Sequence, residues 1–169
     1  HLFAPGTEDF LLVPVNADRT FSAPLRLACN CPMAAALGDV DGDGCADVVV
    51  ACRDHTATGE CSWVFWGSPD GLRGSQRTAL PSERACDVAV GDLDGDGCAD
   101  IVLCQCHRQT VFTAPSSLFR GRRDRRLDAP VALPCHDARR VFLARTAGAT
   151  APQVVFVNHM CRGILGNVD

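Results

Sequence analysis

The sequence predicts an all-β protein made of about three repeated antiparallel units. Its apolar residues fall in short runs separated by Gly, Pro and Asp, as expected for short strands joined by turns. No segment keeps a 3.6-residue periodicity, so we expect almost no helix. The third observation is repetition, because an acidic loop that begins at Asp39 recurs at Asp92, 53 residues later. A fixed period of this kind is typical of repeat architectures.

Each repeat begins with an apolar strand that ends in a turn of small residues. Copies of this motif occupy residues 11–21, 63–72 and 111–119, and a fourth begins at Ile164. The approximate repeats are therefore 11–62, 63–110 and 111–163, with 164–169 starting a further repeat of one domain, 1–169.

The remaining elements of a repeat are a second strand or loop, a short apolar strand, the acidic loop and the strand that follows it. The alanine-rich residues 33–37 have the composition of a helix. They align, however, with residues 86–90, which stand at the same place before the second loop. Repetition therefore predicts a strand for both segments.

The acidic loops have the pattern of a calcium site. Residues 39–47 read DVDGDGCAD and residues 92–100 read DLDGDGCAD. Carboxylates crowded on a short loop repel one another unless a hard cation neutralises them. Asp at positions 1, 3, 5 and 9, a backbone carbonyl at 7 and Gly at 6 reproduce most of the oxygen ligands of a calcium loop. Position 12 is Val50 or Leu103 instead of the bidentate Glu of an EF-hand, so each loop leads into a buried strand.

The third repeat keeps the strands and lacks the acidic residues. Aligning residues 154–156 with 101–103 places neutral or basic residues at the loop positions, namely Arg145, Ala147, Ala149, Ala151 and Gln153. We therefore expect no calcium there. The basic residues 119–126 have the composition of a binder of sulfated glycan or nucleic acid. Their alignment with the turn at 71–74, in a chain that is acidic as a whole, favours a solvated turn instead.

Length and charge are those of an ordinary globular protein. The 169 residues are 47% hydrophobic and 21% charged. No run of about 18 apolar residues is present, so membrane insertion is not expected, and the first residues do not have the pattern of a signal peptide. Two bound calcium ions would bring the net charge of −4 to about zero, and nucleic acid is not an expected partner.

Eleven cysteines favour an oxidising compartment, and so an extracellular or cell-surface protein rich in disulfides. Structural zinc is the alternative, but Cys104 with Cys106, and Cys29 with Cys31, lack the two-residue gap of a zinc knuckle. Spacing suggests three pairs, Cys52 with Cys61, Cys31 with Cys45 and Cys86 with Cys98. An odd number leaves at least one thiol for another use.

The loop pattern, together with the upstream FWGSPDGL motif at residues 65–72, resembles the FG-GAP or VCBS repeat. Such repeats form the blades of β-propellers like that of the integrin α-subunit. The resemblance is specific over about residues 11–103 and degenerate in the third repeat. It implies two Ca²⁺ sites whose ligands are Asp39, Asp41, Asp43, Asp47 and the Cys45 carbonyl in one, and Asp92, Asp94, Asp96, Asp100 and the Cys98 carbonyl in the other.

A propeller closes with about four to eight blades, so about three blades form an incomplete ring. The chain is therefore a fragment of a longer protein, one part of a ring that several chains complete, or a subunit of an open fibre. Repeats bury their apolar faces against neighbouring repeats. We therefore expect other copies of the chain, or the remainder of a longer chain, as partners.

We expect a non-enzymatic extracellular module for adhesion or structural assembly. Four histidines, His55, His107, His136 and His159, are scattered, and no Gly-x-Ser-x-Gly, His-Glu-x-x-His or phosphate-binding loop is present. A propeller appended to a secreted hydrolase remains one alternative. A glycan-binding module that uses Trp63 and Trp66 as a stacking platform is the other, although Trp66 is expected in the core.

Overall fold

A computed structural model describes residues 9–53, 61–106 and 114–159, and all regular structure in these ranges is β. The all-β prediction is therefore confirmed. The strands are β1 Asp9–Leu12, β2 Leu25–Ala28, β3 Pro32–Gly38, β4 Asp47–Cys52, β5 Cys61–Phe65, β6 Arg77–Pro81, β7 Ala85–Gly91, β8 Asp100–Gln105, β9 Ser116–Phe119, β10 Val131–Leu133, β11 Ala138–Ala144 and β12 Gln153–Asn158. None of the described segments is a helix capable of crossing a membrane.

The strands form open antiparallel sheets that have the size of propeller blades. Two sheets have four strands, in the orders β3-β4-β5-β6 and β7-β8-β9-β10. Two smaller sheets, β1-β2 and β11-β12, flank them in sequence. Within the described part of the chain no sheet is closed on itself, as expected for an incomplete propeller. Segment 33–37 lies in β3, so the strand predicted there is confirmed.

The repeat period is visible in the backbone. Strands β3, β7 and β11 start at residues 32, 85 and 138, which are 53 residues apart. Each of them follows a residue with positive φ, Cys31, Arg84 or Asp137, and each contains a register shift near its start. The third repeat therefore retains the local geometry of the first two without their acidic residues.

The small sheets are halves of a blade. By the 53-residue period, β11 and β12 correspond to β3 and β4, the inner strands of a complete sheet. Strand β2 corresponds to β6, and β1 to β5, so this pair represents the outer strands. A blade therefore begins at its first strand, as β3 does in the first complete sheet. The repeats recognised in the sequence begin instead at the third strand of a sheet, such as β5. The expected fourth motif at Ile164 lies outside the described residues.

Successive sheets pack face to face through alternate residues of their central strands. All six residues of β4 are buried, and so are all six of β8. Val48 and Val50 lie in one apolar cluster with Phe10, whereas Val49 lies in another with Ile101. Strands that bury both faces carry near-continuous apolar runs, which explains the VVV and IVL sequences after the acidic loops.

Disulfide richness is not confirmed. Cys45, Cys86 and Cys98 are free thiols, so the structure joins neither Cys86 to Cys98 nor Cys31 to Cys45. Both of these pairs would join the open end of a hairpin to its loop. A strand of this length separates those two points by about 20 Å. The side chain of Cys61, and with it the Cys52 pairing, lies outside the described residues. Cys86 instead has its Sγ atom 3.8 Å from that of Cys104.

Two glycines allow the turn after the third strand to lie against the backbone of an acidic loop. A Cβ atom on Gly121 would lie 2.3 Å from the carbonyl oxygen of Ala99 and 2.7 Å from that of Val40. A Cβ atom on Gly67 would lie 2.3 Å from the carbonyl oxygen of Ala46. The close approach involves main-chain atoms, which cannot rotate away.

Gly121→Ala should therefore lower the free energy of unfolding by about 1–3 kcal/mol, because the backbone must shift to accept the methyl group. Gly74→Ala is the matched control, since its Cβ atom would make only ordinary contacts, with the Leu27 side chain at 3.4 Å and the Arg26 carbonyl oxygen at 3.9 Å. Urea denaturation followed by circular dichroism measures both. Equal midpoints for the two variants would contradict the close approach.

Candidate metal centre

Each acidic loop joins an inner strand to the central strand of its sheet and gathers three carboxylates. Oxygen atoms of Asp39, Asp41 and Asp43 lie within 4.8 Å of one another. The second loop repeats this arrangement with Asp92, Asp94 and Asp96. Gly42 and Gly44 have φ angles of 67° and 87°, a backbone conformation that side chains disfavour and that folds the loop around the carboxylates.

Main-chain N–H groups orient these carboxylates. In the first loop the Asp39 carboxylate accepts hydrogen bonds from the N–H groups of Asp43 at 3.0 Å and Gly44 at 2.8 Å. In the second, Asp92 accepts from Gly95 at 2.6 Å and Gly97 at 3.1 Å. The Gly95 N–H is the largest of several backbone contacts that lower the pKa of Asp92. Main-chain N–H groups of each loop therefore hold its first carboxylate in place.

The fourth aspartate of each loop has a different environment. Asp47 is fully buried, and its two carboxylate oxygens accept hydrogen bonds from the N–H groups of Val40 and Gly67, both at 2.8 Å. Asp100 accepts in the same way from Leu93 at 3.2 Å and Gly121 at 3.1 Å. Burial raises the pKa of Asp47. Through these hydrogen bonds the two carboxylates connect the start of each loop to the following turn. The role of Asp47 and Asp100 as calcium ligands stays a prediction.

The two loop cysteines were predicted to contribute carbonyl oxygens. Cys45 is half-buried and Cys98 is buried, and their N–H groups donate to Asp43 and Asp96 at 2.7 and 2.8 Å. Burial, with a smaller effect of the neighbouring carboxylates, raises the pKa of both thiols. The thiols therefore stay protonated at neutral pH, which leaves the carbonyl as the ligand atom that a hard cation prefers.

Arginines of the β9–β10 connection contact both acidic loops. The predicted turn is present at residues 123–124, and Arg120 and Arg123 are exposed, but the sequence interpretation missed these contacts. Arg125 donates from Nε to Asp41 at 2.5 Å and from Nη2 to Asp43 at 3.2 Å. Arg123 donates to the carbonyl oxygen of Gly42 at 3.0 Å. Only the stacking of sheets brings residues more than 80 positions apart together. The sequence feature that could have predicted these contacts is the opposite charge of the basic residues 119–126 and the acidic loops.

A further arginine serves the second loop. Arg120 donates to Asp100 at 2.8 Å and lies 3.1 Å from a carboxylate oxygen of Asp94. Arg126, in contrast, has a side chain that is 85% exposed and conforms to the predicted solvated turn. The two loops also touch directly, because the Ala99 N–H donates to the Asp39 carbonyl oxygen at 2.7 Å.

The tryptophans do not form an open platform. Trp66 is buried, as expected from the sequence, and its indole N–H donates to Thr78 at 2.9 Å. The guanidinium of Arg125 lies 5.2 Å from the centre of its ring. Trp63 is half-buried and is covered by Arg77 at 4.0 Å.

Of the four scattered histidines named above, His136 and His159 lie within the described residues. His136 is exposed, and Nδ1 of His159 lies 3.4 Å from a carboxylate oxygen of Asp137. His55 and His107 lie outside the described residues.

The equivalent loop of the third repeat is closed by neutral groups. The Thr146 hydroxyl donates to the Gln153 side-chain oxygen at 3.1 Å. Gln153 occupies the position of Asp47 and Asp100, and Thr146 that of Val40 and Leu93. An exposed side-chain hydrogen bond thus joins the positions that a buried carboxylate and a main-chain N–H join in the first two loops.

The family model described as an FG-GAP-like repeat matches residues 39–103. The matched segment runs from the first carboxylate of one loop through the complete second loop and most of β8. The resemblance drawn from the loop motifs is confirmed for this segment. No curated protein matches the chain.

Replacing Arg125 should destabilise the metal-free protein. In Arg125→Gln the nearly fully buried Asp41 carboxylate keeps its charge without a cationic partner, which costs about 1–3 kcal/mol of unfolding free energy. Arg126→Gln removes the same charge at an exposed position and serves as the control. The measurement is urea denaturation in the presence of a calcium chelator. The assigned contact would be refuted by equal losses in the two variants.

Proposed function

We propose that the chain is a non-enzymatic calcium-binding β-propeller repeat module that serves extracellular adhesion or structural assembly. The observation that carries the proposal is the duplicated carboxylate cluster, with three aspartates converging in each of two equivalent loops. The FG-GAP-like match over both loops and the open stack of antiparallel sheets support the same reading.

Charge favours a divalent ion in each loop. In the first, Arg125 offsets one of three clustered carboxylates, which leaves two negative charges. In the second, Arg120 is shared between the cluster and Asp100, so at least two negative charges remain there as well. Calcium suits a site of flexible carboxylate geometry better than magnesium, which demands a regular octahedron and retains its water.

Calcium in these loops would act on architecture. The ion would relieve repulsion among the carboxylates, and the loop it fixes is hydrogen-bonded to the next turn through Asp47 or Asp100. Direct contact between the loops, from Ala99 to Asp39, would carry the ordering from one sheet to the next. An ion that binds only the folded state stabilises it by mass action.

The two loops should differ in affinity. Arg125 contacts two of the three clustered carboxylates of the first loop, Asp41 and Asp43, so an ion entering that loop must compete with a guanidinium at both. In the second loop Arg120 contacts only Asp94 of the three clustered carboxylates. We infer that the second loop fills first.

Calorimetric titration with calcium should therefore show two sites. Asp92→Asn should remove the tighter one and Asp39→Asn the weaker one. Saturation at about 100 times the dissociation constant should add about 2.7 kcal/mol of stability, measured as a rise in melting temperature that a chelator reverses. Asp70→Asn, which changes an exposed carboxylate outside the loops, is the control. No heat of binding together with an unchanged melting temperature would refute the calcium proposal.

Oxidation of the thiols provides a test of the proposed extracellular location. Cys86 occupies the register shift of β7 opposite Cys104, and cross-strand neighbours have the Cα separation that a disulfide requires. Their Sγ atoms are 3.8 Å apart. The hydrogen bond to Cys104 is the largest of the effects that raise the pKa of Cys86 to about 12. Oxidation at neutral pH should therefore be slow but geometrically permitted.

We expect the protein to form a Cys86–Cys104 disulfide in a glutathione buffer with the redox poise of the secretory pathway. Oxidised glutathione takes up the two electrons, so two protein thiols give one disulfide and two molecules of reduced glutathione. Peptide mapping without reduction identifies the bond. Cys86→Ser is the control for this assignment. A protein that keeps both thiols at equilibrium would contradict a disulfide-stabilised extracellular form.

A further inference from the structure

The two small sheets have complementary edges. In both complete sheets the second strand pairs with the third, as β4 does with β5 and β8 with β9. Strand β12 is a second strand and β1 is a third strand, and among the described residues neither has that partner. A strand in the position of β1 is therefore the kind of strand that pairs with the open edge of β12.

The faces of these sheets are complementary as well. We call the face that packs on the following sheet the trailing face and the opposite one the leading face. On the trailing face, Val49 and Val102 are completely buried, whereas Val155 at the equivalent position is 43% exposed. Phe142 and Val157 lie on the same face and are 53% and 49% exposed. The β11–β12 hairpin thus ends the described stack with an uncovered apolar face.

The leading face of β3 is uncovered in the same way. Val88 and Val141 are buried at 6% and 3% exposure, but Ala35, which is equivalent to them, is exposed. Its neighbour Leu37 is 63% exposed. The central strand beside β3 is covered, because β1 and β2 pack on Val48 and Val50. The bare area is therefore the part that two inner strands of a preceding sheet would cover, and it continues the existing β1–β2 interface.

Side-chain size matches across the two uncovered faces. In the internal interfaces a small residue on the trailing side, Ala36 or Ala89, shares a cluster with a larger residue on the leading side, Val88 or Val141. At the uncovered faces both sizes are reversed, with Phe142 on the trailing side and Ala35 on the leading side. A large residue needs a small one opposite it in a close-packed interface. The reversal on both sides identifies these two surfaces as partners of each other.

We propose that the β11–β12 hairpin of one copy of the chain docks beside the β1–β2 hairpin of a second copy and completes a four-stranded sheet, β11-β12-β1-β2. By equivalence with β4 and β5, Val155 would stand opposite Leu12 of the second copy and Phe156 opposite Leu11. Leu11 and Val131, which are both 52% exposed, would be covered by the same event. The contact is head-to-tail, so it generates a ring or a filament.

This inference specifies the partner in the structural assembly proposed above and is independent of calcium. Sedimentation of the full chain is therefore measured in calcium and in chelator, and calcium binding is followed separately by calorimetry. We expect the average mass of the unmodified protein to rise with concentration. Leu37→Asp should disable the head and Val155→Asp the tail, each weakening association by at least about tenfold, because each places a charge inside an apolar interface. Both side chains are exposed, so the fold should persist by circular dichroism.

Mixing the two variants distinguishes the geometry. The intact tail of Leu37→Asp fits the intact head of Val155→Asp, so an equimolar mixture should form dimers that do not grow further. Ser75→Asp adds the same charge in an exposed turn and should associate like the unmodified protein. Amide hydrogen exchange in β1 and β12 should slow on association in every species that pairs. A monomer at all concentrations, association that survives in either single variant, or a mixture that fails to dimerise would overturn the proposal.

Discussion

A buried carboxylate anchors the acidic loop in each of the first two repeats. Asp47 and Asp100 satisfy the first N–H group of their own loop and the N–H group of a glycine in the next turn. A buried charge is tolerated only when hydrogen bonds replace its hydration. The requirement explains why Gly67 and Gly121 must approach the loop so closely. The loop conformation therefore depends on these anchors as well as on any bound ion.

The third repeat separates architecture from metal binding. Gln153 and Thr146 replace the charged anchor with a neutral hydrogen bond, and the hairpin β11–β12 keeps the register of its counterparts. A strand pair that survives without carboxylates is held by its apolar face, on which Val141, Leu143 and Phe156 pack in one cluster. Calcium bound in the first two loops, as proposed, would therefore reinforce sheets that form without it.

Arginine already supplies part of the charge compensation proposed for calcium at the loops. Arg125 reaches from one sheet to the acidic loop of the preceding sheet, and its guanidinium lies 5.2 Å from the centre of the Trp66 ring. A guanidinium supplies one positive charge with fixed geometry, whereas calcium supplies two and accepts more oxygen ligands. Contact between the sheets can therefore persist without a metal. An ion entering a loop would meet carboxylates whose negative charge arginine has already partly compensated.

The sequence by itself determined the strand class, the period and the residues of the acidic loops. These are local properties: Gly and Asp at fixed spacing set the turn, and apolar runs after it set a strand that is buried on both faces. The third repeat was also readable, since the absence of carboxylates at 145–153 follows directly from the alignment of strands. The same reasoning placed Trp66 in the core, where it lies.

Only the tertiary structure decided which distant groups meet. Asp47 and Asp100 were predicted as calcium ligands from the sequence, and the structure adds that both carboxylates are buried and accept backbone hydrogen bonds. Two of the cysteine pairs inferred from spacing, Cys31 with Cys45 and Cys86 with Cys98, place their partners at opposite ends of a hairpin, because spacing ignores the antiparallel register. The arginine contacts to the loops, and the opposed uncovered faces at Leu37 and Val155, arise from stacking sheets in space. No local pattern encodes such contacts, since their energy depends on surfaces that only the packed chain brings together.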